Sequence, residues 1–481
     1  MYSLSYSQTT SISVLPDNVL LEIFCFYKEE TPYFHGFLLT WKWDILVHVY
    51  RILRQVVFVS PLQLGLRILC TARTPVGRNL GIWPALPILV KFSSRRQNDN
   101  IASGEDNIVT ALKHVDRVCG ISLRATGLEL EKITTVMQEL FPVLTRLFIW
   151  SDDVNAPVLP AEFLGGSAPR LQDLNMLRIP FPTLPALLLS TGNLVSLKLY
   201  KIPTSGYISP EAIVVGLAAL PRLKTFFTGF QSATPRSDRI HLSPITRTIL
   251  PALTEFRFKG ASKYLGDLVS RIDTPQLDRI HIFYLNQLVG FWVPQLAKFV
   301  DRSVGPKLTQ LTYTRVSFCG NHVTFDMSRH ENIHGDPYGA ITGIVCQGVD
   351  WQVSHIAQVL SHVSATLANV VHLKLSVWHE EDSQLEGTDD VEWLQILHQF
   401  PAVRTIDVSE ELAGHVALAL EDLPFEAVAQ TPPSLDLIYL AGQPASSIEK
   451  FVSARQLSGR PVTVVETQTE FDEKLKSHVR K

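Results

Sequence analysis

Along most of this chain a six-residue figure keeps returning, with apolar residues at its first, fourth and sixth places. Copies stand at Leu144/Leu147/Ile149, Leu171/Leu174/Met176, Leu194/Leu197/Leu199, Leu253/Phe256/Phe258 and Leu277/Ile280/Ile282. Further copies read Leu308/Leu311/Tyr313, Val370/Leu373/Leu375, Val403/Ile406/Val408 and Leu435/Ile438/Leu440, with weaker ones at Val118/Ile121/Leu123, Leu223/Phe226/Thr228 and Ile341/Ile344/Cys346. Inside each copy the close apolar pair alternates with other types, as in Leu197-Lys198-Leu199-Tyr200, which predicts a short strand with one buried face. Between copies the apolar spacing changes to three and four, which predicts helices over Ser209 to Leu220, Tyr264 to Ile272, Val293 to Val300, Val353 to Leu367 and Val391 to Phe400. Proline often separates helix from strand, as in Leu220-Pro221-Arg222-Leu223 and Phe400-Pro401-Ala402-Val403. It cannot continue a helix and biases its predecessor toward extended backbone, so each unit reads helix, turn, strand.

Successive copies from Leu144 to Leu308 begin 27, 23, 29, 30, 24 and 31 residues apart, and the gap from Leu308 to Val370 is 62, about two periods. Such a period signals a solenoid, and strand–helix units joined by right-handed crossovers stack into a parallel sheet. The units resemble leucine-rich repeats over about 300 residues. That resemblance implies an α/β fold with parallel strands on a concave face and helices on a convex one. The family's Asn or Cys three places past the triplet is replaced here by Ile179, Ile202, Ala261 and Val316, which, with the uneven spacing, implies an irregular solenoid. Strand positions pointing away from the helices carry the candidate partner contacts. Trp150, Asn175, Lys198, Tyr200, Arg257, His281 and Phe283 are the expected substrate-binding residues, aromatic and Arg side chains being the usual interface anchors.

Composition narrows the class. The 481 residues are 46% hydrophobic and 19% charged, a folded chain, and the net charge of −3 gives no reason to expect a nucleic-acid partner. Cys25, Cys70, Cys119, Cys319 and Cys346 are scattered and odd in number, as expected of reduced, buried thiols. The first fifteen residues lack a basic start followed by an apolar core, and the most apolar stretch, Phe34 to Val59, is broken by Lys42, Asp44, Arg51 and Arg54. The expectation is a cytoplasmic or nuclear protein with no membrane association.

Ahead of the repeats, Leu15-Pro16-Asp17 opens a helix apolar on nearly every side from Val19 to Tyr27, and a second apolar segment runs from Ile45 to Val59. Together they bear more apolar surface than so small a unit can hide by itself. The run Leu15-Pro16, Leu20-Leu21-x-Ile23-Phe24, then Leu46-Val47-x-Val49 and Arg51, resembles an F-box. With Phe58-Val59-Ser60-Pro61 and Trp83-Pro84-Ala85-Leu86-Pro87, the chain resembles the F-box proteins that form large families in mushroom-forming fungi. The resemblance implies a short all-helical F-box that docks the Skp-type adaptor of a cullin–RING (SCF) ubiquitin ligase. It assigns Leu15, Pro16, Leu20, Leu21, Ile23, Phe24, Val49, Arg51 and Arg54 to the adaptor contact. Tyr50 and Leu53 stand where the family has Cys and Trp, and Lys28 to Gly36 is an insertion between helices.

The implied organisation is a flexible stretch over 1–13, the F-box-like domain over 14–60, the solenoid over 61–445, and a carboxyl-terminal cap and tail over 446–481 containing a last strand near Pro461 to Val465. Candidate chemistry is sparse. Cys319, His322, His330 and His334 have a metal-like composition but sit among Gly320, Asn321, Gly335 and Pro337, which marks a polar loop. Gly165-Gly166-Ser167 lies between helix and strand in the wrong order for a phosphate loop, and no nucleophile elbow or Walker motif is present. No catalytic residue, metal or cofactor is therefore expected. The leading expectation is a non-enzymatic substrate-recognition subunit of an SCF ligase, binding adaptor and cullin through the F-box and an unidentified protein through the repeats. The alternative is a repeat scaffold whose F-box has degenerated and which has no ubiquitin role.

Overall fold

In copy after copy of the triplet, the close apolar pair is buried while its neighbours stay half-exposed. Leu147 and Ile149 are buried between half-buried Arg146, Phe148 and Trp150, and Leu197 and Leu199 between Ser196, Lys198 and Tyr200. The computed structural model describes residues 67–73, 76–82, 86–94, 101–154, 156–232, 246–285, 294–303, 311–319, 322–329, 340–345, 349–363, 367–377, 390–428 and 431–467, plus Pro16, Val19, Glu22, Tyr33–Phe34 and Phe37–Leu38. They divide into two compact units, Met1–Ile179 and Pro180–Lys481.

The first unit opens with a two-residue antiparallel pair, β1 (Tyr33–Phe34) and β2 (Phe37–Leu38). It reaches past Gly36, the end of the insertion read from the sequence, so the 14–60 segment expected to be all-helical contains a strand pair. Five parallel strands follow: β3 (Ile68–Thr71), β4 (Ile88–Ser93), β5 (Val118–Ala125), β6 (Arg146–Ser151) and β7 (Asp173–Leu177). Register aligns Cys70, Val90, Ile121, Leu147 and Leu174 as one buried rank. Strands β3 and β4 precede the first copy visible in the sequence. Their first triplet places are Arg67 and Pro87, so the six-residue figure is incomplete there although its strand half, Cys70/Ala72 and Val90/Phe92, is buried. Helix α1 (Val76–Ile82), α2 (Ile101–Leu112) and α3 (Gly127–Thr135) connect successive strands. The start of α3 is held by the Thr126 N–H, which donates to Glu129 Oε2 at 2.8 Å, and by the Gly127 N–H, which donates to Asp153 Oδ2 at 2.6 Å.

The second unit carries β8 (Ser196–Ile202), β9 (Thr225–Phe230), β11 (Glu255–Gly260) and β13 (Arg279–Tyr284), all parallel neighbours in that order, with the small pair β10 (Thr248–Ile249) and β12 (Ile272–Asp273) apart from them. Helix α4 (Leu184–Leu188) precedes β8, α5 (Pro210–Ala218) joins β8 to β9, α6 (Ser262–Ser270) follows β11, and α7 (Pro294–Ser303) follows β13. In α5, Pro210 takes the first helical position and Ser209 Oγ accepts the Ala212 N–H at 3.2 Å, as the sequence signals predict. Beneath these strands Phe226 stacks on Phe256 with centroids 5.8 Å apart, and Tyr264 donates its hydroxyl to Ile208 O at 2.9 Å.

A recurrent backbone device sets the register. The residue after the first triplet place offers its carbonyl to two successive N–H groups of the next unit. Thr145 O accepts from Gln172 and Asp173, Val195 O from Lys224 and Thr225, and Val371 O from Arg404 and Thr405, at 2.8 to 3.1 Å. Each tie satisfies strand-entry amides that would otherwise be left without partners where the turn meets the sheet.

The repeat is broken between β13 and the next parallel run. Here β14 (Tyr313–Cys319), β15 (His322–Ser328) and β16 (Ala340–Val345) form an antiparallel meander inserted in reverse, giving the neighbour order β13-β16-β15-β14-β17. This corrects two expectations. The 62-residue gap holds three mixed strands in place of two parallel units, and the copy read at Leu308/Leu311/Tyr313 is displaced by three residues. Thr314 and Val316 pair with Leu373 and Leu375, so the functioning triplet is Leu311/Thr314/Val316. Likewise Ile344, read as the counterpart of Ile280, pairs instead with Tyr284, and Ala340 and Thr342 take the places opposite Ile280 and Ile282. After α8 (Val349–His362) the regular pattern resumes with β17 (His372–Val377), α9 (Asp390–His398), β18 (Thr405–Val408), α10 (Glu410–Glu421), the short α11 (Phe425–Val428), β19 (Leu437–Ala441), α12 (Glu449–Leu457) and β20 (Thr463–Thr467), the last four strands parallel. Among the described residues no helix is long and apolar enough to cross a membrane.

Candidate binding faces of the two units

Trp150 and Asn175 belong to the first unit. Trp150 faces Arg124 of the neighbouring strand, whose guanidinium carbon lies 5.8 Å from the ring centroid. Arg124 Nε also donates to Asp152 Oδ1 at 3.0 Å, and Arg178, left-handed at φ 57°, donates from Nη1 to Asp152 O at 3.2 Å. Asp152 stands three places past Ile149, where leucine-rich repeats keep Asn, and its own N–H donates to Ala125 O at 3.0 Å. The sequence reading noted Ile179 and Ile202 at this position and overlooked Asp152, whose polar side chain was the available signal. Asn175 pairs in register with Phe148, which in turn pairs with Ser122. The Gly165-Gly166 stretch is structural: Leu164, Gly165 and Gly166 are all left-handed, and a Cβ on Gly165 would lie 2.8 Å from the Leu140 amide nitrogen.

The other five expected contact residues lie on the second unit and come together. Lys198, Phe227, Arg257 and His281 occupy one rank across β8, β9, β11 and β13, neighbouring strands being about 4.8 Å apart. Tyr200 lies against Phe227 with ring centroids 4.3 Å apart. On the next rank Lys259 Nζ sits 4.8 Å from the centroid of the Phe283 ring, and the His322 ring is 5.8 Å from that ring. Phe227 was missed by sequence reasoning because Thr228 obscures the triplet of its strand, while Gly229, beside it, leaves the space that the Phe227 ring fills.

Electrostatics on this face follow from packing. Burial would raise the Glu255 carboxyl, but Arg257 Nε donates to its Oε1 at 2.6 Å and, with Arg279 and His281, holds it below the usual carboxylate range. Burial, then the Arg257 and Arg279 charges, bring His281 down to about 4 against the pull of Glu255, so it is neutral at pH 7. Burial and the nearby Lys201 lower Lys259, and burial raises the Tyr200 hydroxyl.

Further along, Arg315 and Asp326 pair across β14 and β15 on this same side, neither foreseen from sequence. Asp326 Oδ1 and Arg315 Nε are buried with no hydrogen-bond partner among the described residues, and burial pushes the Asp326 carboxyl up to about 6 against the Arg315 charge. On β17 and β18 Lys374 and Asp407 pair at 2.8 Å.

Of the metal-like cluster, Cys319 and His322 face each other at the β14–β15 turn, whereas His330 and His334 lie outside the described residues. Among the described residues no three His, Cys, Asp or Glu side chains converge as a metal site. Burial pushes the Cys70 thiol up to about 11 and raises Cys119, opposite to the shift an activated nucleophile needs. Of the adaptor-contact residues only Pro16 is described, and it is exposed; Leu15, Leu20, Leu21, Ile23, Phe24, Val49, Arg51 and Arg54 lie outside the described residues.

No family model matches the chain, and no curated protein does. Among solved structures it is similar to the leucine-rich repeat-containing protein LegL7 from Legionella pneumophila, at 12% identity and a TM-score of 0.25, over 83% of this chain and 99% of that one. The assignment of a leucine-rich-repeat-like fold rests on the chain's own features: parallel strand–helix units, a shared buried rank and a repeated backbone tie.

Proposed function

We propose that this chain recognises protein substrates for an SCF-type E3 ubiquitin ligase. In this reading the amino-terminal apolar helices dock the Skp-type adaptor, and through it the cullin, while the repeats hold the target. The observation that carries the binding half is the rank Lys198–Phe227–Arg257–His281, polar and aromatic side chains displayed at regular strand spacing on the sheet face opposite the buried one. The ligase half is supported by the F-box resemblance of Leu15, Pro16, Leu20, Leu21, Ile23 and Phe24. Such a subunit does no bond-making itself; holding a target beside a charged ubiquitin carrier raises its effective concentration.

The deciding experiment is co-expression of the full chain with a Skp-type adaptor, followed by size-exclusion chromatography. A stoichiometric complex lost on Phe24→Asp, in a variant whose repeats melt as in the wild type, supports the reading. Well-folded chain eluting without adaptor overturns it. That result would favour the second reading, a repeat scaffold without a ubiquitin role, for which Tyr50 and Leu53 in place of the family's Cys and Trp are the specific motive.

A further inference from the structure

Strands β8, β9, β11 and β13 together carry five cationic side chains, Lys198, Lys201, Arg257, Lys259 and Arg279, against one carboxylate, Glu255. The chain as a whole is acidic, at −3, so this excess is local. Elsewhere on the face charge is matched: Lys374 has Asp407 at 2.8 Å. Next to the cations lies an aromatic pair, Tyr200 and Phe227, both half-buried on a face otherwise rich in charge.

We propose that this face takes an extended acidic segment of a partner protein, its carboxylates over Lys198, Arg257 and Lys259 and an apolar side chain against Tyr200 and Phe227. The inference rests on the reading of the chain as a partner-binding receptor and names the chemistry of that partner. Charge complementarity sets the sign, because a cationic cluster on a low-dielectric wall attracts and orients anionic groups. Nucleic acid is the weaker fit. Phe283 already has Lys259 over its ring, so that ring is engaged where a base would need to stack. The net charge of −3 gives a long phosphate backbone no further attraction beyond this face.

The test uses the purified full chain and fluorescence anisotropy with three probes: an Asp/Glu-rich peptide containing one Phe, the same peptide with Asn and Gln for the acids, and a single-stranded RNA. The acidic peptide is expected to bind, and to weaken about three- to tenfold between about 50 and about 300 mM salt as screening grows. Arg257→Glu with Lys259→Glu is expected to weaken it more than about tenfold. To separate charge reversal from unfolding of the sheet, the milder pair R257Q and K259Q is checked by thermal melting and is expected to give a smaller loss in the same direction. Equal binding of the amide peptide, no loss in either variant pair, or tighter binding of RNA would each overturn the proposal. The adaptor experiment reads the amino-terminal helices and is indifferent to this face. A chain that captures adaptor but ignores the acidic peptide sinks this inference alone; one that binds peptide but not adaptor sinks the ligase reading alone.

Discussion

Thr314 of β14 lies directly opposite Leu373 of β17, in a rank that also contains Ile406 and Ile438. It is fully buried, and its hydroxyl has no hydrogen-bond partner among the described residues. A polar atom so placed has lost water without a replacement. Thr314→Val is therefore expected to stabilise the second unit by about 1 kcal/mol in urea unfolding, and Leu373→Ala to destabilise it by about 2–5 kcal/mol. Destabilisation by the valine would mean that the hydroxyl has a partner after all.

Asp326 and His281 should give the second unit pH dependences of opposite sign. The Asp326 carboxyl rises from 3.8 to about 6, so between those values the folded chain keeps a proton the unfolded chain has released, and stability falls as pH rises. Asp326→Asn is expected to stabilise the protein by about 1–2 kcal/mol at pH 7.5 and to flatten that slope.

His281 falls from 6.5 to about 4, so in that interval the unfolded chain binds the proton and the folded chain does not. Its contribution is complete above pH 6.5 and is lost as pH drops toward 4. NMR of the imidazole should find it neutral through pH 5, and a midpoint near 6.5 would contradict the packing of Arg257 and Arg279 around it.

Tyr264 Oη donates to Ile208 O at 2.9 Å from a ring packed among Phe230 and Phe258. Tyr264→Phe keeps the ring and strands the carbonyl, an expected loss of about 1–2 kcal/mol in thermal or denaturant unfolding. An unchanged midpoint would show that water replaces the bond.

Cys70, Cys119 and Cys319 are buried thiols, and Cys70 and Cys119 are shifted toward the protonated form. Alkylation mapped by mass spectrometry is expected to leave these three untouched in native buffer and to reach them after denaturation. Rapid native labelling of Cys70 would contradict its placement in the buried rank.

How legible all this was depends on the residue. Helices over 210–218, 262–270 and 390–398 could be read because apolar residues recur at three- and four-residue spacing, and in the first of them Pro210 and the Ser209 cap point the same way. Strands β3 and β4 escaped notice because Arg67 and Pro87 spoil the first place of the triplet. The shift at β14 was hidden by chemistry: Thr314 is polar, and Tyr313 beside it mimics the missing apolar residue. The direction of β15 had no signal at all, since parallel and antiparallel strands share a period of two. Of the candidate contacts, Lys198, Arg257 and His281 could be aligned from repeat spacing alone, whereas Phe227, Arg315 and Asp326 needed the observed register.

The reversed meander has a consequence for how the second unit assembles. In a regular array each unit finds its neighbour within one period, so order can spread along the chain step by step. Here β13 is completed by β16, which begins 56 residues after Tyr284, while β14 must wait for β17 on its other side. Closing that seam requires bringing together distant stretches of chain, which raises contact order locally and slows the step. The strands before β13 and those after β17 can each zip quickly, and the slow step expected in building the unit is then the insertion of β14, β15 and β16 between them.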